Sequence, residues 1–306
     1  MTANRIGGRS GIAPGDSGVS LDERVDELLN STSRTPMHPD DNDRPLVDWI
    51  ADRSGRIFGL RITPTTKGDL VDATALSIRQ GRQLIIVGQN MHGLYTALTN
   101  DAFHALQELP QSLVHIDGFP IVYFAWLHGL RRTRMAHRTG VHDWLPDYVR
   151  AASANRWRIY CLGSGADVNA RAMQKLARIA PGAALEGRNG FFDTTRDGAE
   201  NRAVLDDIAA FDPHIVLVGM GMGRQEKWIL DNRGALAERC IITVGACLEY
   251  MAGEMRISPR WFGPFGLEAL WRLVTRPRRY AHRYLVEPWL LLALLVRSRR
   301  SHGGGR

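Results

Sequence analysis

The sequence predicts an α/β fold built on a mostly parallel sheet. Three observations carry that prediction. Short apolar runs recur along the chain, each too short for a buried helix. Longer stretches with helical spacing separate them. Glycines and polar residues gather where the apolar runs end. Strands alternating with helices in this order fit parallel strands joined by crossover helices.

The elements follow in order. Residues 1–50 are rich in Gly, Ser, Asp and Pro and read as a mobile tail, with order beginning near Arg56. Asp40 to Asp43 contain an Asp-x-Asp pattern of a kind that holds metals, but read as a solvated acidic patch. "RIFGLRIT" alternates like a strand, and "TKGDLVDATALSIRQG" reads as a helix ended by Gly81. "QLIIVGQN" is a buried strand, "MHGLYTALTNDAFHALQEL" a helix, and "SLVHIDGFP" a strand followed by a turn. "WLPDYVRAASANR" is helix, "WRIYCLG" strand, and "ADVNARAMQKLARIAPG" helix. "FDPHIVLVGMG" is strand, "RQEKWILDN" helix, and "RCIITVGA" strand. The chain thus divides into the tail, an α/β domain over residues 51–255 and a basic appendage over 256–306.

Composition bounds the function. With 306 residues, 44% hydrophobic and 23% charged, the chain is an ordinary globular protein. The formal net charge is +7, and the excess is uneven. From Arg256 to Arg306 there are eleven arginines, no lysine and two acidic side chains, Glu268 and Glu287. Such a segment attracts phosphate, whether of lipid, nucleotide or nucleic acid. Cys161, Cys240 and Cys247 lack metal-ligand spacing and read as buried, reduced thiols of a cytoplasmic protein. No signal peptide is visible, and the apolar run Trp289 to Val296 is too short to cross a bilayer. No His-Glu-x-x-His, Gly-x-Ser-x-Gly or nucleic-acid motif appears in the body, so no metal, no cofactor and no nucleic-acid partner are expected.

Ligands of parallel sheets bind outside the carboxyl ends of the strands. In "HIVLVGMGMGRQEKWI", Gly219, Gly221 and Gly223 end an apolar run and lead into a helix. They allow tight turning and close approach of a ligand, although strand-to-helix turning alone explains them. Arg224 stands where a dinucleotide fingerprint needs its last glycine, which argues against an oxidoreductase. Gln225 brings an amide suited to reading a sugar or base. Asp117, in "HIDGF", is placed to deprotonate a hydroxyl, and a turn-forming Asp-Gly explains the pair equally well.

In the appendage, Pro277 and Pro288 punctuate short helices, each in a first turn. Arg278, Arg279 and Arg283 cluster within two turns, and Arg272 flanks an apolar face. Arginine grips phosphate bidentately and stays charged when desolvated. Trp289 and the leucines behind it, flanked by Arg297, Arg299 and Arg300, suit insertion into an anionic membrane surface. Packing on the body, or a contact between copies of the chain in a homo-oligomer, is the other use of such a run.

These landmarks together resemble the WecG/TagA/CpsF family of bacterial glycosyltransferases (glycosyltransferase family 26). The matching pieces are "GQNMHGL", "HIDGFP", "HRTGVHDWL", "IYCLGSG", "GRNGFF", "PHIVLVGMGMGRQEKWI" and "GLEALWRLVTRPRRYAHRYL", in family order over about residues 56–286. The Gly-x-Gly-x-x-x-Gln-Glu-x-Trp piece is the most specific. The resemblance implies a Rossmann-like catalytic domain and inverting transfer of a sugar, without a required metal. The donor it implies is UDP-linked, typically UDP-N-acetylmannosamine, and the acceptor is a sugar on polyprenyl diphosphate. Asp117 falls on the proposed general base. Asn90, Arg138 and Gln225, with the glycines Gly219 and Gly221, fall on substrate positions, and Arg272 and Arg279 on arginines that hold the donor diphosphate. Arg283 stands beside the third such position, occupied by His282. A lipid-bound acceptor implies a cytoplasmic protein peripherally associated with the inner face of the cell membrane.

Departures from the family pattern leave the donor sugar open among N-acetylmannosamine, glucose and a hexuronic acid. Gly88 replaces a threonine, Leu248 and Glu249 replace Phe-Asp, Ile257 and Ser258 replace Arg-Ala, and Arg276 replaces a glutamate. The alternative to an enzyme is a non-catalytic protein that binds a nucleotide sugar or lipid headgroup on the same scaffold.

Overall fold

The computed structural model describes residues 44–256, 258, 262 and 267–303. The acidic patch Asp40–Asp43, the tail before it and Ile257 lie outside them. Order begins earlier than expected. Helix α1 (Leu46–Arg53) buries Leu46, Trp49 and Ile50 on one face. The apolar spacing is that of an amphipathic helix, so the tail's last residues belong to the core.

The expected first strand is a hairpin, β1 (Gly55–Ile57) and β2 (Leu60–Ile62). Phe58 and Gly59, at φ 50° and 81°, turn the chain back on itself. Helix α2 (Lys67–Gln80) starts in a capping box between Thr66 and Asp69 and stops at Gly81, as its sequence predicts. Strand β3 (Leu84–Gln89) follows. The long helix expected next is two, α3 (Met91–Thr99) and α4 (Asp101–Glu108). Asn100 divides them, because its side chain accepts from the Phe103 N–H and starts a new helix at an angle to the last. After β4 (Ser112–Ile116) comes a helix, α5 (Phe119–Leu127), where a turn was expected. It is apolar nearly all round, so it has no helical periodicity to read.

Helix α6 (Val141–Ala154) leads to β5 (Ile159–Gly163), then α7 (Ala166–Ile179). Strand β6 (Leu185–Arg188) and helix α8 (Ala199–Phe211) follow, with little sequence signal in the four-residue edge strand. Strand β7 (Ile215–Gly219), α9 (Arg224–Asn232), β8 (Cys240–Thr243) and α10 (Cys247–Met251) complete the domain. The sheet order is β4-β3-β8-β7-β5-β6, all parallel. The fold is Rossmann-like, with helices on both faces.

Strand side chains alternate between two cores. Leu84, Ile86, Ile159, Cys161, Ile215 and Leu217 face α1, α2, α6 and α7. Ile85, Val87, Tyr160, Leu162, Val216 and Val218 face α3, α4, α5, α8 and α9. Strands β3, β4, β5, β7 and β8 are buried on both faces, which is why their runs are so apolar, whereas the edge strand β6 is partly exposed. The chain adds β4 on one side of β3 and then crosses to β5 on the far side. Strands β7 and β8 fill the gap. The carboxyl ends of β3 and β8 therefore flank the point where the winding reverses, the usual crevice of such sheets.

The appendage crosses that crevice. It contains α11 (Glu268–Thr275), α12 (Pro277–Ala281), a single π-helical turn over His282–Val286, and α13 (Glu287–Gly303). Pro277 opens α12 as expected. Pro288 does not break the chain direction, because the wider π turn ahead of it accommodates the missing N–H. Leu291 of α13 is buried in the core shared with α3 and α5, while Trp289, Leu292 and Val296 are exposed. The helix thus packs on the body along one line and leaves the rest of its apolar surface uncovered. No helix among the described residues is long and apolar enough to cross a membrane.

Candidate active site

The site starts from the end of β4. Asp117 leaves the sheet with its N–H on the Gln89 carbonyl, which aims its carboxylate across the end of β3. There Asn90 caps α3, its Oδ1 accepting from the Gly93 N–H at 3.0 Å. The same amide donates through Nδ2 to Asp117 Oδ2 at 2.8 Å. The Val141 N–H donates to the other oxygen at 3.3 Å. Burial raises the Asp117 carboxyl. The His115 ring, the Asn90 amide, Arg272 and His142 lower it, and the net shift is downward. His115 itself is pushed down to about 4 by burial, so it is neutral at physiological pH. What keeps Asp117 ionised there is the Asn90 hydrogen bond and the positive Arg272. Gly118 does not make a tight turn. Its φ of −115° is open to any residue, but a Cβ would lie 3.0 Å from that of Asn90. Close approach, not backbone freedom, is the reason for glycine.

The glycines after β7 divide in the same way. A Cβ on Gly219 would sit 2.9 Å from the Gly245 carbonyl oxygen, so this position is small because β8's exit loop crosses it. Gly221 and Gly223, with φ of 89° and 87°, turn the chain into α9. That turn brings Gln225, 2% exposed, to the cleft wall. Glu226 behind it is fully buried and reaches back to the Gly223 N–H at 2.5 Å.

The appendage supplies the opposite wall. The Arg272 side chain has no hydrogen-bond or ion-pair partner among the described residues; its guanidinium carbon stands 5.9 Å from the Tyr250 ring centroid. Burial would lower its pKa. The Tyr250 and Tyr284 hydroxyls, Asp117 and Glu268 raise it further, so it is a permanent cation. Arg283, in the π turn, donates to Asn90 Oδ1 at 3.2 Å, and its Nε is buried without a partner. Arg279 arrives already paired, gripping both Glu249 oxygens at 2.6 and 3.2 Å.

These groups border one cleft of about 360 Å³, which Asn90, Asp117, Gly221, Gln225, Arg272, Arg279 and Arg283 all line. A smaller hollow of about 170 Å³ adjoins it past Gly221 and Arg279 and reaches Gly219. Arg138 is the expected site residue that the structure does not bring to the cleft. It pairs with Glu268 and lies 3.6 Å from Asp143, so it pins α11 of the appendage to α6 of the body. The match of its segment to the family's Arg-x-x-Gly piece put it at the site; in the structure its guanidinium is engaged by two acidic partners.

The model of the Glycosyl transferase WecG/TagA/CpsF family matches residues 55–304. The chain belongs to this family. It is a glycosyltransferase. Among similar proteins are three from Staphylococcus aureus, of strains MRSA252, NCTC 8325 / PS 47 and COL. Each is named N-acetylglucosaminyldiphosphoundecaprenol N-acetyl-beta-D-mannosaminyltransferase. Each is 26% identical over 218 residues, which is 71% of this chain and 82% of the relative. The family match extends through the appendage, so the arginine-bearing wall is part of the family unit.

The structure also places in the cleft three residues to which sequence reasoning gave no role, His92, His142 and Glu287. His92 and His282 flank Glu287, at 2.6 and 3.4 Å, and His142 stacks on Tyr250 with centroids 5.6 Å apart. Glu287 had a signal: it is an isolated acid in an arginine-rich segment. His92 and His142 had none, since their neighbours come from helices distant in the chain. No group of three or more His, Cys, Asp or Glu residues among those described is arranged to hold a metal.

Proposed function

We propose that the chain transfers a sugar from a UDP-linked donor to a saccharide carried on polyprenyl diphosphate, in assembly of a surface polysaccharide. The carrying observation is the meeting in one cleft of an ionised carboxylate, Asp117, with a guanidinium that has no hydrogen-bonded or ion-paired partner among the described residues, Arg272. The relatives' names, which pair a diphosphoundecaprenol acceptor with an aminosugar, support the substrate class.

The acceptor hydroxyl attacks the anomeric carbon as its proton passes to Asp117. The bond from that carbon to the diphosphate oxygen breaks on the opposite face, so configuration inverts. Negative charge then grows on the departing diphosphate. Arg272, Arg279 and Arg283 meet it with fixed positive charge, which lowers the barrier because the groups are held in place before the reaction. Asn90 keeps Asp117 and Arg283 in register by bonding to both. Arg138 acts at a distance, by fixing the appendage wall. The exposed Trp289, Leu292 and Val296 rest on the inner face of the cell membrane, where a lipid-linked acceptor is found.

Asp117→Asn tests the chemistry against simple binding. The variant should keep UDP affinity within a few-fold and lose about a thousandfold or more in turnover. Unchanged turnover sinks the assignment. A panel of UDP-N-acetylmannosamine, UDP-glucose and UDP-glucuronic acid with a short-chain polyprenyl-diphosphate acceptor identifies the donor.

A further inference from the structure

Gln225 and Glu226 stand side by side at the start of α9, and their geometry is asymmetric. Both Glu226 oxygens accept hydrogen bonds: Oε2 from the Gly223 N–H at 2.5 Å, and Oε1 from Gln225 Nε2 at 2.7 Å. Once ionised, above its raised pKa of about 7, the Glu226 carboxylate can only accept. The Gln225 amide must therefore turn its NH2 toward Glu226 and its oxygen the other way. That oxygen is buried and has no partner, and Gln225 lines the cleft. A buried acceptor left without a donor is costly, so native structures rarely keep one without a use.

We propose that Glu226 is a positioning residue that locks the Gln225 amide with Oε1 facing the cleft, so that the site reads a hydrogen-bond donor, a hydroxyl or acylamino N–H, on the sugar of the nucleotide-sugar substrate. The inference rests on the glycosyl-transfer reading for its ligand, but not for its geometry. The sugar is the part addressed because Gln225 sits beside Gly221, which borders both hollows, while the arginines across the cleft take the diphosphate. Glu226 has no surface of its own in the cleft; its influence passes through the amide. The groups acting on Glu226 are the Gln225 amide and the N–H groups of Gly223 and of its own backbone. No charged neighbour sets its state.

Glu226→Gln separates orientation from shape. The variant is isosteric. One side-chain oxygen must still accept from the Gly223 N–H, so the new NH2 faces Gln225 and reverses it. A donor then replaces the acceptor at the cleft wall. At pH 8, where the wild-type carboxyl is ionised, titration calorimetry of the full chain should show UDP bound within about twofold of wild type. UDP-N-acetylmannosamine should bind about tenfold or more weakly, because a site built to pair one polar group penalises its mismatch. Equal weakening of UDP, or no weakening of either, overturns the proposal.

A second measurement needs no ligand. The Gln225 side-chain NH2 resonances, assigned by their loss in Gln225→Met, should be shifted downfield and protected from exchange in the wild type. They should move and lose that protection in Glu226→Gln. Resonances that stay put refute the lock even if the substrate has been misjudged. A wild type that binds neither UDP nor the sugar nucleotide overturns the glycosyl-transfer reading instead and leaves the resonance result to decide this one.

Discussion

Arg272 and Arg279 look alike in the sequence, two guanidiniums in one basic run. Their surroundings separate them. Arg279 is already neutralised by Glu249, and a diphosphate must compete for it, whereas Arg272 waits unpaired beside the aromatic ring of Tyr250. Arg272→Ala should lower kcat by about a hundredfold to a thousandfold, the range for losing one fixed charge-stabilising donor. Arg279→Ala should lower it by less, and steady-state rates on a water-soluble acceptor decide the order. Glu226 has a thermodynamic signature too. Burial pushes its carboxyl up to about 7 from 4.5. A raised folded pKa means the folded state holds its proton longer than the unfolded chain. The stability from this group is fully present below about 4.5, falls as pH rises, and is lost above about 7. Urea unfolding of wild type and Glu226→Gln between pH 5 and 8 should show the difference between them drifting by about 3 kcal/mol, against the wild type at high pH.

At the level of elements, most of the helices and strands follow from sequence pattern. The exceptions have local causes. Asn100 divides a helix by capping the next one, Phe58 and Gly59 fold a strand into a hairpin, and α5 hides its nature by being apolar all round. The strand ends hold a constraint that periodicity cannot express. A Cβ on Gly163, at the end of β5, would lie 2.4 Å from the Gly219 carbonyl oxygen at the end of β7. Backbone cannot yield as a flexible side chain does. Gly163→Ala should destabilise the fold by about 2–4 kcal/mol through overpacking, with a lower urea midpoint and an unchanged m-value. Gly221→Ala strains the chain differently, at a positive φ with open space around the new methyl. Its effect belongs to the turn that delivers Gln225.

For the molecule as a whole, the appendage cannot be treated as a detachable anchor. Glu287 pairs with His92 in the cleft, Leu291 fills part of the core, and Arg138 ties α11 to the body. Deleting residues 287–306 would disturb the site as well as any membrane contact. Replacing the exposed Trp289, Leu292 and Val296 together with serine avoids this, since none of the three is buried. The triple variant should turn over a water-soluble acceptor at the wild-type rate and lose sedimentation with vesicles of phosphatidylglycerol. Retained sedimentation counts against the membrane-resting face.

The sequence by itself determined the α/β alternation, the strands that carry the site and the family to which the chain belongs. Those are properties of local pattern and of short motifs, and both survive without knowledge of neighbours. Asp117, Asn90, Gln225 and the appendage arginines were legible because they occupy strand ends or a charge-biased segment. Only the tertiary structure decided that Arg138 spends its charge on Glu268 and Asp143, that Glu249 covers Arg279, and that Glu226 accepts from the Gln225 amide and leaves that amide's oxygen without a partner. A charge or a hydrogen-bonding group does its work with whatever lies within a few ångströms of it. The partners concerned are as much as 130 residues away along the chain, and only folding brings them into reach.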